Sequence, residues 1–126
     1  MKRKARYKIF LVEDNFLYRY VLEKILSDSA NYSITSFDSG EECVEMLSNN
    51  PDLIILDHGL KGMSGLETLR SIRKSLPAVP VIVLSGQQSV QVAADFFSEG
   101  ATDYMEKRNN DSASKELKSS ITRLLN

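Results

Sequence analysis

The chain contains no tryptophan, a single cysteine, only three prolines and six glycines, and no long apolar run. Each shortage excludes something. Cys43 has no second cysteine to pair with inside the chain, so a disulfide scaffold is excluded and a reducing, intracellular setting is the default. So little Gly and Pro, beside 42% hydrophobic residues, is unlike the compositions that fail to fill a core. A membrane span needs roughly 18 consecutive apolar residues, and nothing here approaches that. The apolar stretch Ile9 to Val12 runs straight into Glu13 and Asp14, so it is no secretory signal either. These absences predict a cytoplasmic protein without membrane association. With 126 residues the chain has the size of one domain that folds without staples.

Charge is nearly balanced, with 16 Lys and Arg against 17 Asp and Glu. The balance is uneven along the chain. Lys2, Arg3, Lys4, Arg6 and Lys8 crowd the start, leaving eleven cations against all seventeen acids in the rest. An acidic body argues against direct nucleic-acid binding, which calls for basic residues over one face. Residues 1–6 read as a basic, solvating tail, and residues 7–126 as the folded domain.

Short β-branched apolar runs alternate five times with amphipathic stretches. Strands are predicted over Tyr7–Val12, Tyr32–Phe37, Leu53–Leu56, Val81–Leu84 and, more weakly, Thr102–Glu106. The first, third and fourth are apolar on both alternate faces, as strands covered on both sides require. Helical faces follow them: Tyr18, Val21, Leu22 and Ile25; Cys43, Val44 and Leu47; Leu66, Leu69, Ile72 and Leu76; Val92, Ala93, Phe96 and Phe97; Leu117, Ile121 and Leu124. Ser39 with Glu42 and Ser64 with Glu67 have capping-box spacing, Gly100 suits a helix C′ position, and Pro77 and Pro80 bar a helix between the third helix and the fourth strand. The adjacent Phe96 and Phe97 cannot both face the core squarely, and a partner surface for one of them is the lesser of two readings beside simple packing. Strand alternating with helix reads as an α/β domain with a doubly wound parallel sheet and helices on both faces.

In such sheets ligands bind beyond the carboxyl ends of the strands. The residues at those ends are Glu13 and Asp14, Asp57, Ser85 and Lys107. Three carboxylates held together raise one another's pKa unless a cation joins them. Mg²⁺ suits one or two carboxylates, waters and a phosphate oxygen. A metal and the Lys107 ammonium can neutralise a transferring phosphoryl group while the Ser85 hydroxyl donates to one of its oxygens. With no cysteine at a strand end, the chemistry points to an aspartate nucleophile that forms an acyl phosphate, and Asp57 is central in the sheet. His58 adjoins it and invites a role as metal ligand or acid, but a neighbour on an extended chain points to the other side, so His58 is not expected to serve as either. Cys43 is expected to be packing.

Four segments, Phe10-Leu11-Val12-Glu13-Asp14-Asn15, Ile54-Ile55-Leu56-Asp57, Val83-Leu84-Ser85-Gly86 and Gly100 to Lys107, together resemble the receiver, or phosphoacceptor, domain of two-component response regulators. The resemblance covers about residues 6 to 126. It implies a flavodoxin-like five-stranded sheet of order 2-1-3-4-5. It also implies that Asp57 accepts phosphate from a sensor histidine kinase or phosphotransfer protein, in a signalling domain and not an enzyme beyond Mg²⁺-dependent self-phosphorylation and autodephosphorylation. Asp14, Asp57 and the backbone carbonyl of Gly59 would hold Mg²⁺, or another divalent cation such as Mn²⁺, with Glu13 acting through a bound water. Ser85 and Lys107 would hold the phosphoryl oxygens, and Tyr104 would swing as Ser85 is drawn inward. The switch would reach a surface of the fourth helix, fifth strand and fifth helix, used for a downstream effector, a missing output domain or a second copy of the chain. No output domain fits within these residues.

The chain departs from the family pattern at Lys61 and Arg108, where proline is usual. A cis bond before Arg108 would cost roughly 3 kcal/mol, so a trans bond and a reshaped loop are expected. Other functions fit less well. A haloacid-dehalogenase-like phosphatase wants a second Asp where Gly59 stands, and a flavodoxin-like cofactor binder wants Ser, Thr and Gly amides after the first strand. A degenerate receiver, acting as a phosphorylation-independent interaction module, draws support only from Lys61 and Arg108.

Overall fold

The computed structural model describes residues 6–87, 89–108 and 110–126. Of the basic tail, residues 1–5 lie outside the described residues; Arg6 donates to the Tyr32 carbonyl, and Lys8 lies within the first strand with its ammonium on the Asn49 carbonyl.

Five strands, β1 (Tyr7–Val12), β2 (Tyr32–Phe37), β3 (Leu53–Asp57), β4 (Val81–Ser85) and β5 (Asp103–Glu106), form one parallel sheet in the order β2-β1-β3-β4-β5. This is the flavodoxin-like order, and every expected strand is present. Strands β3 and β4 are buried at every position, which explains why their sequences show no polar alternation. Helices α1 (Phe16–Leu26), α2 (Gly40–Glu45), α3 (Gly65–Ser75), α4 (Val90–Ser98) and α5 (Asp111–Leu125) connect and cover them. No helix among the described residues is long and apolar enough to cross a membrane.

Alternation along the strands divides the core in two. Ile9, Leu11, Ile55, Ile82, Leu84 and Met105 pack against Leu22 and Leu26 of α1 and Leu117 and Ile121 of α5. Phe10, Val12, Ile54, Leu56, Val81 and Val83 face Cys43 of α2, Leu69 and Ile72 of α3 and Phe96 of α4. Burial pushes the Cys43 thiol up to about 12, as befits a packing cysteine. Phe96 is in the core, whereas Phe97 is 49% exposed.

The helix ends follow local chemistry, with one exception. Ser64 and Glu67 make the complete capping box. Ser39 caps α2 by accepting from the Glu42 amide, but the Glu42 carboxylate turns to the Ser39 hydroxyl instead of its backbone, so this box is only half formed. Helix α2 is correspondingly short and passes into a 3₁₀ turn at Leu47–Asn49. Gly100 takes the expected C′ place after α4 at φ +105°.

One glycine bears directly on the strand ends. A Cβ on Gly65 would lie 2.7 Å from the carbonyl oxygens of both Asp57 and His58, whereas one on Gly59 would meet nothing within 4 Å. Helix α3 therefore starts against the backbone that carries Asp57. Gly65→Ala is expected to lower stability by about 1–3 kcal/mol through overpacking, read as a lower urea midpoint at unchanged m-value. Gly59→Ala is expected to stay within about 0.5 kcal/mol of wild type.

Candidate functional site

The register that pairs Val12 with Leu56 and Leu56 with Val83 lines up the carboxyl ends of β1, β3 and β4. Beyond β1, the Glu13 amide donates to the Phe37 carbonyl, and the buried Glu13 carboxylate accepts from the Asn15 amide at Oε2. Asn15 then caps α1 by accepting from the Tyr18 amide, which fixes where the helix begins. Asp57 closes β3. Its Oδ1 accepts from the Gly59 amide at 3.2 Å and from Lys107 Nζ at 2.7 Å. Lys107, just past β5, donates its backbone amide to the Ser85 carbonyl and places the same Nζ 2.8 Å from Glu13 Oε1. Asp14 completes the group: Glu13, Asp14 and Asp57 each offer an oxygen within 4.8 Å of the others.

Burial makes this cluster electrostatically tense. It raises the Glu13 carboxyl above its ordinary value, partly offset by Lys107 and the Asn15 amide, while the Asp57 charge adds to the rise. Burial alone would lower Lys107, but its hydrogen bonds to Asp57 and Glu13 outweigh that and hold the ammonium above its usual range. The Tyr18 ring lies 4.9 Å from Nζ, a cation–π contact that adds to the same preference. The Lys107 ammonium, 2.8 Å from Glu13 Oε1 and 2.7 Å from Asp57 Oδ1, is a single positive charge in a cluster that gathers three carboxylates. An all-oxygen, net-negative set of this kind fits a hard divalent cation, which takes up the excess charge that burial penalises.

Ser85 is fully buried on the other side of the same edge. Its hydroxyl donates to the Gln87 carbonyl, accepts from the Gln87 amide and lies 3.2 Å from His58 Nδ1. Tyr104 donates from its phenol to that same Gln87 carbonyl at 3.3 Å. The sequence singled out Ser85 and Tyr104, and they meet through a backbone oxygen. His58 stays outside the carboxylate cluster. Alternation does turn it away from Asp57, but toward the face that Ser85 shares, and its amide continues the ladder to the Leu84 carbonyl. Sequence reasoning also passed over Tyr18, Asn15 and the Lys61 amide. The signal for Tyr18 is its place in the first turn of α1, four residues past Asp14.

The two departures from the family pattern have different consequences. The Lys61 amide donates to Asp14 Oδ2 at 3.0 Å, a bond that proline lacks the hydrogen to make. The Lys107–Arg108 bond is trans, as expected, since no peptide bond among the described residues is cis. Arg108 pairs with Glu106 at 3.0 Å; the loop beyond it includes residue 109, outside the described residues.

Comparison with known proteins agrees with this geometry. The family model described as response regulator receiver domain matches residues 9–121. The DNA-binding transcriptional regulator NtrC of Escherichia coli (strain K12) is 34% identical over 100 residues, 79% of this chain and 21% of that protein. The cell cycle transcriptional regulator CtrA of Caulobacter vibrioides is 34% identical over 101 residues, 79% of this chain and 43% of its own length. The chain thus spans about a fifth to under half of these relatives. The chemotaxis protein CheY4 of Vibrio cholerae shares the fold with a TM-score of 0.86 at 24% identity, over 96% of this chain and all of that one. A match to a protein-glutamate methylesterase of Trichodesmium erythraeum, 35% identical over 109 residues, covers 83% of this chain and 31% of that enzyme. Topology, the acidic strand-end cluster and these matches together make the chain a member of the response regulator receiver domain family, a signalling domain of two-component systems.

Proposed function

We propose that Asp57 is the phosphoacceptor of this receiver, taking a phosphoryl group from a phosphohistidine on a sensor histidine kinase or phosphotransfer protein. The observation that carries the reading is the gathering of Glu13, Asp14 and Asp57 within 4.8 Å, with Lys107 Nζ 2.7 Å from Asp57 Oδ1. Among the described residues the bonds to Asp57 fall on Oδ1, which leaves Oδ2 to attack phosphorus. The new Oδ2–P bond replaces the P–N bond, and the leaving imidazole nitrogen keeps the electron pair and takes up a proton. Lys107 holds its proton through the step, because its carboxylate partners favour the ammonium, and it is placed to neutralise the transferred group. Ser85 supplies a hydroxyl for a phosphoryl oxygen once it leaves Gln87.

Asp14, Asp57 and the Gly59 carbonyl would hold Mg²⁺, or Mn²⁺ in its place, with Glu13 in support. The ion supplies charge neutralisation and in-line orientation of the phosphoryl group. Output would pass through α4, β5 and α5, where Phe97 is exposed 6.4 Å from the Tyr104 ring, to an effector protein, an output domain or a second copy of the chain. A degenerate receiver would have no use for so complete a set of buried charges.

Incubation with Mg²⁺ and acetyl phosphate is expected to add the mass of one phosphoryl group to the wild type and none to Asp57→Asn. Lys107→Met should slow the labelling by about 100-fold, the usual cost of losing one charge-stabilising donor. Equal labelling of Asp57→Asn would remove the assignment. Turnover of many equivalents would instead indicate a phosphatase. The raised Glu13 pKa gives a second test. A carboxyl with a folded pKa above its unfolded value of 4.5 supports stability fully below that value, and the support is lost as pH rises through the folded pKa. Urea midpoints in EDTA are therefore expected to favour wild type over Glu13→Gln less and less from pH 4.5 to neutrality. Millimolar Mg²⁺ should raise the wild-type thermal midpoint through preferential binding to the folded state, and Asp14→Asn should lose most of that rise.

A further inference from the structure

Every hydrogen-bonding position of the Ser85 hydroxyl is engaged. A hydroxyl offers one proton and two acceptor sites. Here the three contacts are the Gln87 carbonyl at 3.1 Å, the Gln87 amide at 3.1 Å and His58 Nδ1 at 3.2 Å. The His58 ring meets Phe96 of α4 edge-on, with centroids 5.5 Å apart, and Phe96 lies 6.2 Å from the Tyr104 ring. Tyr104 returns to Gln87 through its phenol. His58, Ser85, Gln87, Tyr104 and Phe96 thus close a circuit, in which His58 touches both the hydroxyl and the buried aromatic of α4.

We propose that His58 is a positioning residue for the Ser85 hydroxyl: it retains that hydroxyl on the α4 side of the sheet and ties its release to the packing of Phe96. This rests on the phosphoacceptor reading, because retaining the hydroxyl matters only if Asp57 carries a phosphoryl group. A ring that merely filled space against Phe96 would have no need to aim a nitrogen at a fully buried oxygen. With the Ser85 proton on the Gln87 carbonyl, His58 Nδ1–H is the donor in this contact; moving Ser85 toward Asp57 breaks it, so His58 opposes the activated state by the net worth of one hydrogen bond.

The chain has one histidine, so its imidazole ¹⁵N resonances need no residue assignment, and the ring couplings to the carbon-bound protons distinguish Nδ1 from Nε2. In the unliganded protein, Ser85→Ala is expected to shift the Nδ1 resonance of His58. An unmoved resonance overturns the proposal whether or not Asp57 is ever phosphorylated. With Mg²⁺ and beryllofluoride as the phosphoryl mimic, His58→Phe is expected to bind roughly 3- to 10-fold more tightly than wild type, the range of one neutral hydrogen bond. His58→Asn, which keeps a polar atom near the place of Nδ1, should return toward the wild-type value. In a Ser85→Ala background the gain from His58→Phe should vanish. Equal affinities of wild type and His58→Phe, or a gain that survives loss of the hydroxyl, overturn the proposal. Failure of the wild type to bind beryllofluoride would remove the phosphoacceptor reading and the role with it, while a shifted resonance would still show the contact to exist.

Discussion

Among the described residues Lys107 is the cation that meets both buried carboxylates, 2.7 Å from Asp57 and 2.8 Å from Glu13, and the arrangement of the sheet's active edge depends on it. Placing two ionised acids in a buried space is costly unless a partner is present, and removing one partner of such a cluster costs more than the cluster gains. The ammonium arrives from the strand most distant in sequence. It is held by its own backbone, which donates to the Ser85 carbonyl, and by the Tyr18 ring from the first helix. Early and late parts of the chain are thus brought to one point, and that requirement constrains how β1, β3 and β5 terminate relative to each other.

The period of two along each strand then divides the edge by chemistry. Residues 9, 11, 55 and 105 face α1 and α5, and continuing their alternation by one step places Glu13, Asp57 and Lys107 on that side. Residues 54, 56, 81 and 83 face α2, α3 and α4, and the same step places His58 and Ser85 there. Charge lies on one face and the hydroxyl with its aromatic neighbours on the other. On the proposed reading, a signal that begins as charge at Asp57 would have to move something across the end of the sheet to reach α4, and Ser85 is the short polar side chain that lies there.

That division explains what could be read without coordinates. The five strands, the ordering of charged residues at their ends and the core assignment of Cys43 follow from alternation and composition alone. The half-formed box at Ser39 does not, because the choice between the Glu42 carboxylate reaching the backbone or the hydroxyl is decided by local rotamers. His58 was discounted on a sound premise, that it points away from Asp57, but the premise says nothing about what waits on the far side. That depends on the register of β4 against β3, which no local pattern encodes. The Lys61 amide is similar. Its bond to Asp14 joins two loops 47 residues apart, and the sequence reveals only that a hydrogen is available there.

The opposite edge of the sheet shows how differently a partly buried charge is treated where structure alone is at stake. Arg73 of α3 donates from Nε and Nη2 to the Gly100 carbonyl and from Nη1 to those of Leu76 and Val79. It ties together the end of its own helix and the segments leading into β4 and β5, with every partner a fixed backbone oxygen. Burial lowers its pKa, but guanidinium starts so high that it stays charged, and the planar fork is matched by acceptors on each arm. Glu13 at the active edge is treated otherwise: its carboxylate has the Asn15 amide on Oε2 and, on Oε1, an ammonium that it shares with Asp57. The chain can satisfy a buried charge completely when it needs only rigidity. At the carboxyl ends of the strands three carboxylates gather around one ammonium, and on the proposed reading the negative charge left over would be what a bound cation neutralises.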